Sequence, residues 1–445
     1  MENWQAIVAS ITFVAVIAAI MTEKVHLAVA ALLGALVLVF GHVMTLSGAM
    51  SHIGKSHQTL ALFFGVMVLV RAFEPTKVFD YLATQMVILA KGQGKRLLLG
   101  IVAITTPICA VLPNATTVML LAPLIPPIAQ EIGVDFVPLL ILMVFVANSA
   151  GLLTLVGDPA TFIVGDAINI SFVDYLGRLS LGGVVAIAAI VLLLPVMFPK
   201  IWRLQLTETD LTHLPHPQIN HPRVLLLGGL IVSIVLALFV FGEMLPVPLS
   251  PAAAALLGAA LALWLAHHSK IDTVNNILRD VDWSTLLFFM CVFVLIGGLE
   301  DTGVIYRLSD LLGWTLGRNI MLGALVLVFL VGLLSSIIPN IPLVVAMVPL
   351  LKQYLVGVGL LGSEVLAPDF AGQLPPEVLP LFYAMMFGAT LGGNGTLVGA
   401  SSNIVAAGVA EQHGKSITFH RFLYYGIPVM LIQLIVAALY VRLRF

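Results

Sequence analysis

The chain alternates long apolar runs with short polar breaks. The runs fall near 4–22, 25–42, 58–73, 96–112, 115–130, 136–166, 179–198, 224–242, 250–266, 284–299, 319–338, 343–356, 377–410 and 422–441. A helix crossing lipid needs about 20 mostly apolar residues, so the pattern predicts an all-α polytopic membrane protein. The most hydrophilic connection is "KIWRLQLTETDLTHLPHPQINHP", residues 200–222, near the middle of the chain. It reads as a linker between two halves.

The halves resemble each other. "AALLGA" occurs at 30–35 and again at 254–259, a shift of 224. At a shift of 226, ten of the 24 positions from 59 to 82 are identical, among them Thr59, Phe63, Glu74 and Thr76. The same shift pairs Pro113-Asn114 with Pro339-Asn340, and Pro123-Leu124 with Pro349-Leu350. "TLVG" occurs at 154–157 and at 396–399, a shift of 242. The extra residues are mostly the loop 357–376. A duplicated unit of this kind is an architecture of secondary transporters.

The runs 96–112 and 115–130 are separated only by "LPNA". Each arm is about 25 Å long at about 1.5 Å per residue, marginal for a full crossing. They read as a re-entrant hairpin turning at Pro113-Asn114, and 319–338 with 343–356 read likewise around "PNIP". The first repeat is then 1–199, with hairpin 96–131 and a broken helix 134–168. The second is 223–445, with hairpin 318–356 and a broken helix 377–412. Each half has five crossings plus one hairpin, about ten spanning helices and two hairpins. Five is odd, so the second half is inverted. On this path 13 of the 20 Lys and Arg lie on one side and 7 on the other. The positive-inside rule makes the richer side cytoplasmic. The expected placement is the inner (plasma) membrane, with linker 200–222 inside, both termini outside, the first hairpin entering from the cytoplasm and the second from outside. Segments 76–91 and 302–313 mix charge with apolar residues and suit interfacial amphipathic helices.

Composition agrees: 60% of residues are hydrophobic and 9% charged, against about 25% charged in soluble domains. A formal net charge of −2 gives no hint of a nucleic-acid partner. Met1-Glu2-Asn3 lacks the basic start of a cleaved signal, so the first apolar run is expected to be retained. The two cysteines, Cys109 and Cys291, lie inside apolar runs and read as core thiols rather than a disulfide. His213, His216 and His221 could bind metal, but with no acidic or Cys ligands beside them they read as a solvated loop.

The chemistry gathers at the two TLVG copies. A helix interrupted at bilayer depth exposes N–H and C=O groups that lipid cannot satisfy, so such breaks line polar cavities. Half-helix N-termini attract anions or oxyacid oxygens, and C-termini attract cations or protonated donors. "NSAGLLTLVGDPATF" and "GATLGGNGTLVGASSN" supply glycines for unwinding and polar side chains for ligation. The hairpin tips add Asn114, Thr116, Thr117 and Asn340. Small residues can also serve close helix packing; their pairing in both halves, in the same order, favours one site at the repeat interface.

Ionisable residues inside a span are functional candidates. Asp158 follows TLVG directly and is the candidate proton or cation carrier; its counterpart is Ala400. It can also cap the second half-helix, with Pro159 at the first position. Glu74 and Glu300 are equivalent residues at the ends of crossings and read as interfacial. Arg71, one turn from Glu74, can pair with it. Asp166 and His26 read as near interfaces. Cys109, just before a hairpin tip, is a weak candidate for a soft metalloid.

The stretches "WSTLLFFMCVFVLIGGLEDTGVI" (283–305), "GATLGGNGTLVGASSNIVAAGVAEQHG" (388–414) and "LPNATTVMLLAPLI" (112–125) resemble the ion transporter superfamily, most closely the ArsB arsenite permease and P protein branch. The resemblance covers essentially the whole chain. It implies binding at Asn114, Thr116, Thr117, Thr154, Gly157, Asn340, Gly393, Asn394, Thr396, Ser401, Ser402 and Asn403, with Asp158 coupling to protons. It also implies export of arsenite or antimonite in exchange for protons. The implied partners are the lipid bilayer, the small inorganic solute, a second copy of the chain as a homodimer, and an ArsA-like ATPase docking on the inner loops. Dicarboxylate symporters of this superfamily carry Ser-Asn-Thr at both hairpin tips. Pro-Asn-Ala and Pro-Asn-Ile stand here instead, which argues against sodium-coupled dicarboxylate transport. A neutral trihydroxy solute suits a centre with no obvious Arg or Lys. Alternatives are a sodium/proton antiporter of the NhaD type, for which only Asp158 is a clear buried acid, and an anion transporter or channel. No Ser/Lys, paired-Asp or HExxH arrangement suggests an enzyme, no GxxxxGK[ST] suggests nucleotide binding, and no cofactor is expected.

Overall fold

The structure, a computed structural model, describes residues 3–22, 24–90, 92–131, 133–205, 219–367, 370 and 372–445. His213, His216 and most of the linker lie outside the described residues. The first half runs α1 (Asn3–Met21), α2 (Leu27–Phe40), α3 (Leu46–Lys55), α4 (His57–Phe73), α5 (Val78–Ala90), α6 (Gly94–Cys109), α7 (Asn114–Leu121), α8 (Ile125–Glu131), α9 (Phe136–Ala150), α10 (Pro159–Ala167), α11 (Phe172–Arg178), α12 (Ser180–Met197) and α13 (Pro199–Trp202). The second half runs α14 (Pro222–Phe241), α15 (Pro251–His268), α16 (Val274–Arg279), α17 (Trp283–Asp301), α18 (Val304–Leu316), α19 (Ile320–Ser335), α20 (Asn340–Gly357), α21 (Leu379–Gly392), α22 (Ser401–Gln412) and α23 (Phe419–Arg444).

Local chemistry sets these boundaries. Pro113 and Pro339 stand just ahead of α7 and α20. Proline fixes φ and has no N–H to lose there, so it turns the chain sharply into a new helix. In the first hairpin the Ala122–Leu124 segment tightens to a 3-10 turn with Pro123 inside it, dividing α7 from α8. The matching Pro349 lies within an unbroken α20. The broken helices stop at Gly151 and Gly393 and restart at Pro159 and Ser401.

Among the described residues eight helices are long and apolar enough to cross a membrane, or nine if the pair α18 and α19, bent by 117°, is counted as one. The eight include α20 but omit α2, which has 14 residues, and both broken helices. Length alone misleads for α20. It begins at Asn340, which is buried and bonded to Asp158 in the interior, so it is a hairpin arm that starts inside the molecule. Leu192 on α12 and Leu226 on α14 stand among many exposed apolar side chains on the outer helices, as a lipid-facing surface requires.

The packing follows the repeat. Helix α4 lies along α15, and its equivalent α17 lies along α2, so each half embraces the other. First hairpin arms pack on their own half's broken helix, α6 on α9 and α19 on α21. The arms that follow reach across as well: α7 packs against α22 besides α9, and α20 against α10 besides α21. Glu74 and Glu300 meet different basic side chains in equivalent places. Arg71 lies 3.3 Å from Glu74 and also meets Asp272 at 3.2 Å and Asp280 at 2.6 Å in the other half. His52 on α3 lies 3.9 Å from Glu300 and 3.1 Å from Asp301. Bonds from Arg71 and Arg279 hold the Asp280 carboxyl below its ordinary range.

Candidate solute site at the repeat interface

Four helices begin at one place. The starts of α7, α10, α20 and α22 meet in a buried network of amides, hydroxyls and one carboxylate. Asp158 caps α10 through Oδ1, which accepts the Ala160 N–H at 2.7 Å. Its carboxylate also accepts from the tips of both hairpins. Asn114 Nδ2 donates to Oδ2 at 3.2 Å, and Asn340 Nδ2 reaches both oxygens at 3.3 and 3.4 Å. The orientation of the Asn114 amide is set by its own Oδ1, which accepts the Ala115 N–H at 2.8 Å.

Asn148, near the end of α9, joins the halves. Its Oδ1 accepts from Asn114 at 3.1 Å and from Ser402 at 2.5 Å. Its Nδ2 donates to Asn394 and to Asn403, both at 3.0 Å. Asn394 in turn donates to Gln433 at 2.8 Å and to Ser149 at 3.2 Å. Asn148, Asp158, Asn394, Ser402 and Asn403 have essentially no exposed surface, while Asn114 and Asn340 are only slightly exposed. Buried amides at this density are stable only because nearly every donor and acceptor is matched.

The two kinds of helix end are treated differently. Carbonyls at the C-terminal ends are taken by fixed side chains. Thr154 donates to Ala110 O and Thr396 to Ser336 O, equivalent bonds at equivalent hairpins. Asn403 donates to Gly393 O and Thr396 O, both at 2.8 Å, and Tyr175 donates to Leu152 O at 3.0 Å. The N-cap residues of α7, α20 and α22 (Pro113, Pro339 and Ala400) make no side-chain cap bond, and in α7 only the Ala115 N–H is taken, by Asn114. Each such helix start carries a partial positive charge, and Asp158 is the one carboxyl group in the network.

The sequence-derived candidates divide by location. Asn114, Asn340, Asp158, Asn394, Ser402 and Asn403 come together. Thr154 and Thr396 are turned away as clips to hairpin carbonyls. Gly157 lies against the backbone at Cys109, and Gly399 against that of Gly393 and Ser335. Gly393 contributes its carbonyl. Thr117 is buried with its hydroxyl unpartnered; Thr116 is partly buried, and Ser401 is exposed at the first position of α22. Cys109 and Cys291 are free and buried. Among the described residues no three His, Cys, Asp or Glu side chains cluster as metal ligands. Sequence reasoning missed Asn148, Ser149 and Gln433. The first two open the stretch "NSAGLLTLVGDPATF", and Gln433 is an uncharged polar residue in the middle of the apolar α23.

A cavity of about 490 Å³ opens beside the network. Its wall includes Ile163 and Asp166 on α10, Val345 and Lys352 on α20, Glu300, and His52. Asn340 and Lys352 are twelve residues apart on one helix, about 18 Å at 1.5 Å per residue. The wall of this vestibule thus carries Asp166, Glu300 and Lys352, together with the apolar Ile163 and Val345 on the helices that begin beside Asp158 and at Asn340. On another face, Asp135 ahead of α9 lies 2.9 Å from Lys415 and 2.5 Å from Arg421. Partial burial raises its pKa, but the bonds from Arg421 and Lys415 outweigh this and leave it below the ordinary range.

Residues 17–368 match a family model, CitMHS, described as citrate transporter. An uncharacterized transporter of Synechocystis sp. is 72% identical over 96% of this chain and 95% of its own length. The P protein of Homo sapiens is 29% identical over 98% of this chain, which spans 59% of that longer protein. A solved structure, the YdaH transporter of Alcanivorax borkumensis, aligns with a TM-score of 0.60 at 12% identity. That alignment covers 92% of this chain and 88% of the other, and it speaks for the fold alone.

Proposed function

The chain belongs to the CitMHS citrate transporter family, and from that premise we propose that it is a proton-coupled secondary transporter of a small carboxylate-type anion, working by alternating access. It is a multi-pass membrane transporter of the ion transporter superfamily; the solute and the coupling are our reading. The observation that carries it is the convergence of three helix N-termini, whose N-cap residues make no side-chain bond, on one buried site whose side chains are mostly amides and hydroxyls. Backbone N–H groups at helix starts bind carboxylate or phosphate oxygens without help from Lys or Arg. Asp158 is the coupling group in this reading. The linker faces the cytoplasm of a plasma-membrane protein, and both termini lie outside.

A second reading is export of arsenite or antimonite in exchange for protons. The absence of any Lys or Arg from the network favours it, because a neutral trihydroxy solute needs only amide and hydroxyl partners. One experiment compares the two. Purified protein in proteoliposomes receives an imposed pH gradient, with and without sodium, and uptake of citrate and of arsenite is measured. Saturable citrate uptake that follows the pH gradient supports the first reading. Arsenite movement without citrate movement supports the second, and sodium-dependent proton flux with neither solute moving sinks both.

A further inference from the structure

We propose that the Asp158 carboxylate is a tethered substitute for the solute's own carboxylate, latching the two hairpin tips together in the empty carrier. This rests on the reading of an anionic solute. Each hydrogen bond to the carboxylate comes from a donor: the Ala160 N–H, Asn114 Nδ2 and Asn340 Nδ2. An ionised carboxylate is acceptor-only, and every one of these contacts suits that form. The group bonds the first residues of α7 and α20, whose N-cap residues make no side-chain bond. It therefore neutralises the site and ties Asn114 of one half to Asn340 of the other. Both tips belong to arms that cross over to the opposite half's broken helix, so the latch holds the crossing elements.

The substitute and a solute carboxylate exclude each other. Both need the same amide donors, and two carboxylates side by side in a buried site repel. An arriving anion displaces Asp158, and the displaced group is neutralised by a proton taken from the aqueous side. The charge of the site is then the same empty and loaded. Other titratable groups do not duplicate this role. Cys109 on α6 and Tyr175 on α11 lie near enough to feel the Asp158 charge, and they are a thiol and a phenol. Of the elements packed on α10, α20 carries Lys352 at the vestibule, α4 carries His57 and Arg71, and α21 carries Tyr383; none of these bonds Asp158. Asp166 on α10 itself is eight residues further along, about 12 Å.

The latch has a readout that needs no solute. Val345 lies on the vestibule wall five residues beyond the Asn340 tip, about 7.5 Å along the helix. A Val345→Cys carrier is labelled with a permanently charged thiol reagent at pH 8 and pH 5.5, in the native and the Asp158→Asn backgrounds. Thiol reactivity itself falls equally with pH in both, so the ratio between backgrounds is the measurement. The expected result is labelling at least about tenfold faster in Asp158→Asn at pH 8, because bonds to a charged acceptor are about twice as strong as neutral ones. The ratio between the two rates is expected to fall towards one at the lower pH, where a proton on the native carboxyl releases the latch. Asn340→Ala breaks the latch from the donor side and is expected to label fast at both values, which covers the case of an Asp158 variant that does not fold. Equal rates in all backgrounds at both pH values would overturn the latch. In proteoliposomes carrying a pH dye, citrate uptake brings protons inward with the native carrier and none with Asp158→Asn. Proton movement undiminished in Asp158→Asn also overturns it. A clear labelling gap with no citrate transport supports the latch while removing the proposed solute; citrate transport without a labelling gap removes the latch and leaves the solute.

Discussion

Gly157 and Gly399 hold equivalent places where a broken helix touches its own half's hairpin, and adding one methyl group at either tests that contact. A Cβ at Gly157 would lie 2.7 Å from Cys109 O and 3.0 Å from Gly151 O. At Gly399 it would lie 2.8 Å from Gly393 O and 3.1 Å from Ser335 O. These neighbours are backbone, which cannot swing aside as a side-chain end can. Overpacking of this kind costs about 1–3 kcal/mol. Relief requires the hairpin to part from the break, giving up the Thr154 or Thr396 hydrogen bond, about 1 kcal/mol more. Gly157→Ala and Gly399→Ala are therefore each expected to destabilise by about 2–4 kcal/mol, roughly 30- to 900-fold in the unfolding equilibrium. Gly408, on α22, has open space where its Cβ would be, so Gly408→Ala is the control. There the helix gains about 0.5–1 kcal/mol. Equilibrium unfolding in mixed micelles measures all three. Gly157→Ala and Gly399→Ala carriers as stable as Gly408→Ala would refute the close approach. A large loss at one position but not the other would refute the equivalence of the two halves.

Three further outcomes are expected. Asn148→Ala leaves Asn394 Oδ1 without its donor and removes the bond between the halves, so transport falls at least about tenfold and stability by about 1–3 kcal/mol; transport and unfolding assays on the same preparation check both. Asn114→Ala and Asn340→Ala each impair solute transport while the carrier stays folded, and normal transport in either removes that half from the site. Asp135→Asn lowers stability by less than about 1 kcal/mol at neutral pH, because the ion pairs are partly exposed and screened. Since the folded-state carboxyl lies below its ordinary value, its contribution is present above about pH 4 and is lost as the pH falls through the lowered value. An unfolding series from pH 7 to pH 3 should show the difference shrinking.

The chain's pattern disclosed the repeat, the hairpins and the breaks because each leaves a periodic or positional mark. Proline at equivalent turns, glycine beside polar residues at bilayer depth, and a shared shift between halves are readable without coordinates. The tips Asn114 and Asn340 and the acid Asp158 followed from the same logic. What did not follow was direction. Thr154 and Thr396 look like ligands in sequence, yet each points to a hairpin carbonyl, since a helix C-terminus left without donors is costly in lipid. Asn148 opens the first polar stretch but lies on a continuous helix before the break, and its partners come from three separate segments: α7, the second break and α22. The span count had a similar limit. Apolar length marks α20 as a crossing, whereas the PNIP turn in the sequence and its buried start beside Asp158 mark it as a hairpin arm.

The crossed arms bear on how such a carrier could have arisen. With α7 resting on α22 and α20 on α10, neither half closes a site alone; a single ancestral unit would have needed an oppositely oriented twin. A pair of identical units is bound to place the same residue on both sides of its axis. It would carry two acids at the centre, which repel, or none, which leaves the helix starts bare. Joining the units in one chain lifted that restriction. Asp158 could stay in one half while Ala400 took its place in the other, so an odd charge became available at the middle of an even architecture.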